Sequence, residues 1–248
     1  MKVLAVIPAR YDASRFPGKP LADLGGRPLV HWVHEGARSC RHFDDVVVAT
    51  DSEAIAAAVS AFGGEMEMTS PDHSSGTDRV AEVAARRPEA DVVVNVQGDL
   101  PFISAGTLEA LVTPYVEGAS PLMTTVGCRI ASDAVFHDPN AVKVLLDRRG
   151  NAIYFSRSPI PYMRNLGDAP VLHHLGVYAF TRDFLLRFAT LERTPLEHCE
   201  ALEQLRALEH GYDIHVRVAD EPAIEVNTPE DLDHARAVMA IERRASRR

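Results

Sequence analysis

Apolar positions in the first half of the chain come in short unbroken runs, and helical periods fill the stretches between them. Val3 to Ile7, Val46 to Thr50 and Asp91 to Val96 are the runs; about Leu29 to Arg38, Glu53 to Phe62 and a stretch ending near Arg86 carry the helical pattern. Such alternation predicts βαβ units on a mostly parallel sheet. Punctuating residues agree: Gly25-Gly26 makes a turn, Pro28 suits a first helical position, Asp51-Ser52 caps the next helix and Gly63-Gly64 closes it. Met66 to Met68 reads as a short strand.

A helix over Ser104 to Val116 and a strand over Leu122 to Ile130 continue the series, after which the alternation loosens. Val142 to Leu146 and Ala152 to Phe155 flank a turn at Asp147 to Gly150 and predict a hairpin. Prolines stiffen Ser156 to Tyr162. A strand at His174 to Phe180, helices at about Asp183 to Ala189 and Leu196 to Leu208, and a last strand at Ile214 to Val218 follow. Thr228, Pro229 and Asp231 stand as N-cap, N1 and N3 of a C-terminal helix, and Arg243 to Arg248 is a frayed end. There is no internal repeat.

With 248 residues, 46% of them hydrophobic, the chain can bury the core of one large domain, with room for a small subdomain. A formal net charge of -9 opposes a general nucleic-acid or anionic-membrane surface, so any cationic patch must be local. Cys40, Cys128 and Cys199 show no paired spacing, which points to neither a disulfide framework nor a zinc site and fits a reducing cytoplasm. The apolar start is too short for a signal peptide, and no run reaches the roughly 18 residues of a membrane span. Among 26 cations only Lys2, Lys19 and Lys143 are lysines, which draws notice to the latter two.

Directly behind the first strand, the Gly/Pro-rich loop from Ile7 to Pro20 carries Arg10, Arg15 and Lys19. Forked and point cations there suit a polyphosphate, although the loop matches neither the P-loop nor the dinucleotide glycine pattern. A solvated surface loop is the other reading. The polar segment Asp72 to Arg79 leads into a helix; its small hydroxyls and Gly76 suit a base or ribose, or only a helix cap. Asp99 ends the most strand-like run in Gln97-Gly98-Asp99, where open α/β sheets bind ligands. It reads either as a Mg²⁺ ligand or as a turn residue. His173, His174 and His198 lack metal-like neighbours, and no G-x-S-x-G supports a hydrolase.

Nine segments, in order, resemble the CMP-Kdo synthetases (3-deoxy-manno-octulosonate cytidylyltransferases). They are Ile7 to Pro20, Val47-Ala49-Thr50-Asp51, His73-Ser75-Gly76-Thr77, Val94 to Asp99, Ala141 to Val144, Tyr154 to Arg157, His174-Leu175-Gly176, Pro195-Leu196-Glu197 with Glu203 to Arg206, and Thr228 to Leu232. The resemblance covers nearly the whole chain. It implies a Rossmann-like nucleotidyltransferase (GT-A-like) α/β fold, a three-layer α/β/α sandwich with a mixed sheet and a smaller acceptor and dimerisation subdomain. It also implies one domain over 1–248: about 1–130 for nucleotide, about 131–215 for acceptor and dimer, and 216–248 for a C-terminal motif and helix. The implied enzyme is a cytoplasmic homodimer that uses Mg²⁺ to transfer CMP from CTP to an acidic acceptor, a Kdo-like sugar acid, releasing pyrophosphate. Arg10, Lys19 and Asp99 would be catalytic. Arg15 would hold triphosphate beside Ala9; Ser75, Gly76, Thr77, Arg79 and Gln97 would line the cytidine pocket. Arg157, His174, Tyr178, Glu203 and Gln204 would face the acceptor, with Lys143, also substrate-binding, near the site, and Asp99 and Asn227 would hold the metal.

Three departures accompany the resemblance. Leu100 stands where the family usually reads Glu after Gln-Gly-Asp, and Asn227 where it usually reads Asp before Thr-Pro-Glu-Asp. An amide oxygen coordinates Mg²⁺ without supplying charge. The segment between Tyr162 and His173 also looks shorter than in the sugar-specific enzymes. These changes spare the triphosphate loop, so a small phosphonate such as phosphonoformate is an alternative acceptor, and a non-catalytic nucleotide-binding homologue is a third reading.

Overall fold

A computed structural model of the protein describes residues 1–12, 16–165, 171–220 and 222–245. Two compact units emerge. The first comprises Lys2–Glu89, Asn95–Ala105 and Ala223–Arg248; the second comprises Met1, Ala90–Val94 and Gly106–Pro222.

The first unit begins with β1 (Val3–Ala9), all seven residues of which are buried. A 3₁₀ turn (Lys19–Leu21), a two-stranded ribbon of β2 (Asp23–Leu24) and β3 (Arg27–Pro28), and α1 (Leu29–Arg38) follow. β4 (Asp45–Thr50) lies parallel to β1 from Leu4↔Asp45 to Ala9↔Thr50, and β5 (Glu65–Met68) lies parallel to β4. α2 (Glu53–Ala61) connects β4 to β5, and α3 (Gly76–Arg86) follows β5. The helices bury one stripe each, Leu29, Val30, Val33 and Ala37 in α1, as an amphipathic helix on a sheet must. Pro28, expected as the first helical residue, is instead the N-cap of α1, because it pairs with Asp23 across the ribbon.

β6 (Val92–Asn95) contributes its first three residues to the second unit. There follow α4 (Ala105–Val116), β7 (Met123–Arg129), α5 (Asp133–His137), β8 (Lys143–Leu146), β9 (Ala152–Ser156) and β10 (Leu172–Thr181). Then come α6 (Arg182–Phe188), α7 (Pro195–Glu200), α8 (Leu205–Glu209) and β11 (His215–Ala219). β7 pairs antiparallel with β10 and parallel with β11, and the expected hairpin is the antiparallel pair β8 and β9.

The single helix expected over Leu196 to Leu208 is broken. Ala201, at φ 50°, ends α7 in the left-handed region, and Leu202 and Gln204 are buried between the two short helices. A buried ion pair explains the break. Arg206 donates through Nε and Nη2 to both oxygens of Glu197, at 2.8 and 2.5 Å. Nine residues of continuous helix would separate the pair by about 13 Å along the axis.

The chain ends in α9 (Pro229–Ala245), back in the first unit. Thr228 and Asp231 make the expected reciprocal cap: the Asp231 N–H donates to Thr228 Oγ1 at 3.2 Å, and the Thr228 N–H to Asp231 Oδ2 at 2.8 Å. Val226, Leu232, Ala235 and Met239 pack with Leu24 and Leu29, and Phe16, Trp32 and Phe102 lean on the same cluster.

Candidate active site

In the first unit the chemistry gathers where β1 ends. Gly98 is required there: a Cβ would come within 2.9 Å of the Pro8 carbonyl oxygen, so only glycine lets the segment carrying Asp99 lie against this strand end. At Gly76 a Cβ would meet the Pro8 ring at 3.3 Å and Gln97 Oε1 at 3.8 Å. Pro8 thus has the Asp99 turn on one side and the start of α3 on the other.

Lys19 Nζ reaches Asp99 Oδ2 at 3.3 Å, both side chains being mostly shielded from solvent. Gly18, at φ 71°, caps the turn that presents Lys19, and its N–H donates to the Tyr11 carbonyl at 2.8 Å. Arg10 is exposed and donates to the His73 carbonyl at 3.4 Å, which ties the cationic loop to the segment before α3. Ala9 is a buried end residue of β1. Arg15 lies outside the described residues.

Sequence reasoning missed Glu225. Val226 donates its N–H to the Asp99 carbonyl at 2.8 Å and buries its side chain in the α9 cluster. Its neighbours on either side, Glu225 and Asn227, join side chains: Asn227 Nδ2 donates to Glu225 Oε2 at 3.1 Å. Burial, and after it the charge of Asp99, push the Glu225 carboxyl up to about 7, against the pull of Asn227 and Lys19. No sequence motif marks this residue; its place follows from the backbone contact between Val226 and Asp99. Among the described residues no group of three His, Cys, Asp or Glu forms a protein-only metal cage.

Around the start of α3, Asn95 is a second residue that the sequence pattern hid inside a strand. Fully buried, it donates to Thr77 Oγ1 at 3.0 Å and accepts from Gln97 Nε2 at 3.2 Å. It therefore sets the positions of two expected pocket residues. Ser75 caps α3, accepting from the Asp78 N–H at 3.1 Å while Asp78 Oδ2 accepts from the Ser75 N–H. Such a cap contributes about 1 kcal/mol. Arg79 is wholly buried, with Nη2 on Asp51 Oδ2 at 2.8 Å and Nη1 on the Thr69 hydroxyl; it braces strand ends from inside. Leu100 is buried too, so the position after Asp99 belongs to the core.

The second unit holds the other expected residues. β10 departs from its register on β7 between Leu175 and Tyr178, and the Thr125 hydroxyl fills the irregularity, donating to the Val177 carbonyl at 2.7 Å. With that proton committed, Thr125 Oγ1 accepts from His174 Nε2–H at 2.9 Å, which fixes the tautomer. Burial, and secondarily His173, hold His174 down to about 3, so the ring is neutral at physiological pH. Tyr178 lies tilted against it, ring centres 5.5 Å apart, and donates to Gln204 Oε1 at 3.1 Å. Gln204 Nε2 is buried with no hydrogen-bond partner among the described residues. Glu203, next in chain, is half-buried.

Lys143 and Arg157 are occupied differently. Lys143, fully buried, gives its three protons to the carbonyls of Asp138, Ala141 and Arg157 at 2.9, 2.6 and 2.6 Å. Arg157 donates from Nε to the Glu200 carbonyl at 2.8 Å and from Nη1 to the Pro139 carbonyl at 3.1 Å. Both fasten the segment before β8 to the residues that follow β9.

His174 yields a pH prediction. The unfolded chain takes up its proton near 6.5, whereas the folded chain resists to about 3, so stability is lost as pH falls below 6.5. From pH 7 to pH 5 this residue should cost about 2 kcal/mol. Urea melts at both pH values should show that loss in the wild type and not in His174→Gln; equal pH sensitivity in the two would refute it.

Over residues 4–214 the chain matches the family model for cytidylyltransferases. A 3-deoxy-manno-octulosonate cytidylyltransferase of Acaryochloris marina is 60% identical over 232 residues, 94% of this chain and 95% of that one. The chain belongs to the 3-deoxy-manno-octulosonate cytidylyltransferase family. A solved structure of CMP:2-keto-3-deoxy-manno-octonic acid synthetase complexed with CTP superposes with a TM-score of 0.92 at 42% identity, over 98% of this chain and 100% of that one. At 11% identity, 4-diphosphocytidyl-2C-methyl-D-erythritol synthase from Anaerococcus prevotii shares the fold alone, with a TM-score of 0.65 over 96% and 98% of the two chains. The fold of this family member is accordingly mixed α/β, with a mostly parallel sheet, and the protein is a nucleotidyltransferase. No helix among the described residues is long and apolar enough to cross a membrane.

Proposed function

We propose that the protein transfers CMP from CTP to 3-deoxy-manno-octulosonate, releasing pyrophosphate, and that the chain works as one cytidylyltransferase domain. The observation that carries this reading is the full-length identity to the octulosonate enzymes, with the Lys19 and Asp99 pair standing at the end of β1. The acceptor hydroxyl oxygen, giving its proton up to water, bonds to the α-phosphorus as the bond from that phosphorus to the bridging β-phosphate oxygen breaks. Lys19 and Arg10 hold the triphosphate and offset the charge that grows on the departing pyrophosphate. Gln97, Gly76 and Thr77 receive the cytidine, positioned by Asn95.

Asp99 and Asn227 are the residues assigned to Mg²⁺. Their chemistry fits: one carboxylate, one amide oxygen and a nearby second carboxyl are oxygen donors, and Mg²⁺ on a nucleotide needs few from protein. When bound, the ion would supply Lewis-acid polarisation of the phosphate oxygens.

In the second unit, Gln204 has a buried N–H₂ group that needs an acceptor, which a sugar acid's oxygens offer. Gln204→Leu should therefore raise KM for the sugar acid about tenfold, with KM for CTP unchanged. An equal change in both constants would sink the assignment.

The small-phosphonate alternative is not favoured, because the octulosonate enzymes match along the whole chain. A homodimer accompanies the reading; Ile153 on β9 and Tyr162 and Met163 beyond it are apolar side chains left exposed. Cytoplasmic residence is supported by three free cysteines and by the net charge of -9, which favours neither nucleic acid nor an anionic membrane. The test is pyrophosphate release with each of the four nucleotides against Kdo and phosphonoformate. CTP with Kdo alone should react; reaction with phosphonoformate instead would overturn the acceptor.

A further inference from the structure

We infer that Glu225 supplies the second negative charge of the metal site, doing from two residues upstream what Asn227 cannot. The inference rests on the cytidylyltransferase reading above. Its geometry is local to the first unit. Val226 is fixed twice, by its N–H on the Asp99 carbonyl at 2.8 Å and by its side chain in the α9 cluster, so the residues flanking it are held beside Asp99. The 3.1 Å contact between Asn227 Nδ2 and Glu225 Oε2 places both side chains together, and Asp99 and Lys19 both act electrostatically on Glu225.

Charge decides what the carboxylate is for. Asp99 already shares its charge with Lys19 at 3.3 Å, and Asn227 brings none. A divalent cation held by those two groups alone would meet one carboxylate half-compensated by an ammonium. Glu225 accepts from an amide rather than from a cation, and its neighbour Val226 is hydrogen-bonded to the Asp99 backbone. Its oxygens are hard donors of the type Mg²⁺ takes. Turned toward the Glu225 carboxylate, the Asn227 amide orients that carboxylate.

Calorimetric titration of CTP, in Mg²⁺ and in EDTA, tests this without turnover. In Mg²⁺, Glu225→Gln should bind CTP about tenfold more weakly than the wild type. In EDTA it should bind as tightly or a few-fold more tightly, because a charge that repels the triphosphate has gone. A residue that merely shapes the site would lose affinity in both conditions, and that result, or no change in either, overturns the inference. The double variant Glu225→Gln/Asn227→Asp should regain the wild-type Mg²⁺ dependence. Asn227→Asp alone gives an independent reading that does not need the first variant to fold. With Glu225 already in place, the added carboxylate should change affinity in Mg²⁺ less than about twofold, whereas a tenfold gain would show that Glu225 contributes nothing. Formation of CMP-Kdo by the wild-type protein, followed in parallel, tests the assigned reaction separately, so either can fail alone.

Discussion

Lys19→Ala should lower kcat/KM for pyrophosphate release from CTP by about 10²–10³-fold, and Asp99→Ala by at least as much. Removing one preorganised charge from a transition state commonly costs this much, roughly 2.7–4 kcal/mol. Two contacts hold Lys19 in place: the Gly18 cap at φ 71° starts the turn that presents it, and Asp99 receives its ammonium at 3.3 Å. Because the two groups touch, their effects should not add, and the double variant should be less impaired than the product of the single losses. Arg10→Ala should cost less, about tenfold, since the side chain is exposed and its contact to the His73 carbonyl is long. Steady-state kinetics at saturating Mg²⁺ would decide: a Lys19→Ala enzyme within threefold of the wild type would remove the cationic loop from the mechanism.

The largest stability effect should come from Glu197→Gln. Arg206 lies on Glu197 through two hydrogen bonds, with its guanidinium 4.8 Å from the centre of the Phe188 ring, and both charges are almost wholly shielded from water. Removing one partner leaves a buried, uncompensated guanidinium, at a cost of roughly 3–5 kcal/mol. For a chain of this size that corresponds to a melting temperature lower by roughly 6–20 °C. Calorimetric melting reads it directly, and a shift under 2 °C would show the pair to be replaceable. Acceptor binding should weaken alongside, because the pair sets the loop that carries Glu203 and Gln204.

The strands and helices of the βαβ part were legible because burial on both faces leaves continuous apolar runs, as in β1 and β4. So was the Thr228 and Asp231 cap, a purely local device. Leu196 to Leu208 read as one helix because local propensity favours it; what breaks it is a pairing between Glu197 and Arg206 that only tertiary folding satisfies. The β2 and β3 ribbon is two residues a side, too short to leave a period. Among site residues, Lys19 and Asp99 stood at motif positions and are found together. Glu225 could not be seen, because its role is created by a contact between Val226 and Asp99, 127 positions apart in the numbering. Lys143 and Arg157 stand as cations in a linear text, while in the fold the three protons of Lys143 and donors of Arg157 go to backbone carbonyls. No letter of the sequence distinguishes those two uses of a cation.

The cluster that seats α9 has a consequence for how the protein is made. Leu24 and Leu29, near the start of the chain, are covered by Val226, Leu232, Ala235 and Met239, near its end. A chain whose synthesis has not yet reached Val226 therefore lacks part of the cover over these two leucines, and the segment bearing Glu225 and Asn227 has not yet docked. The contact between Val226 and Asp99 thus forms only after everything between them has been synthesised.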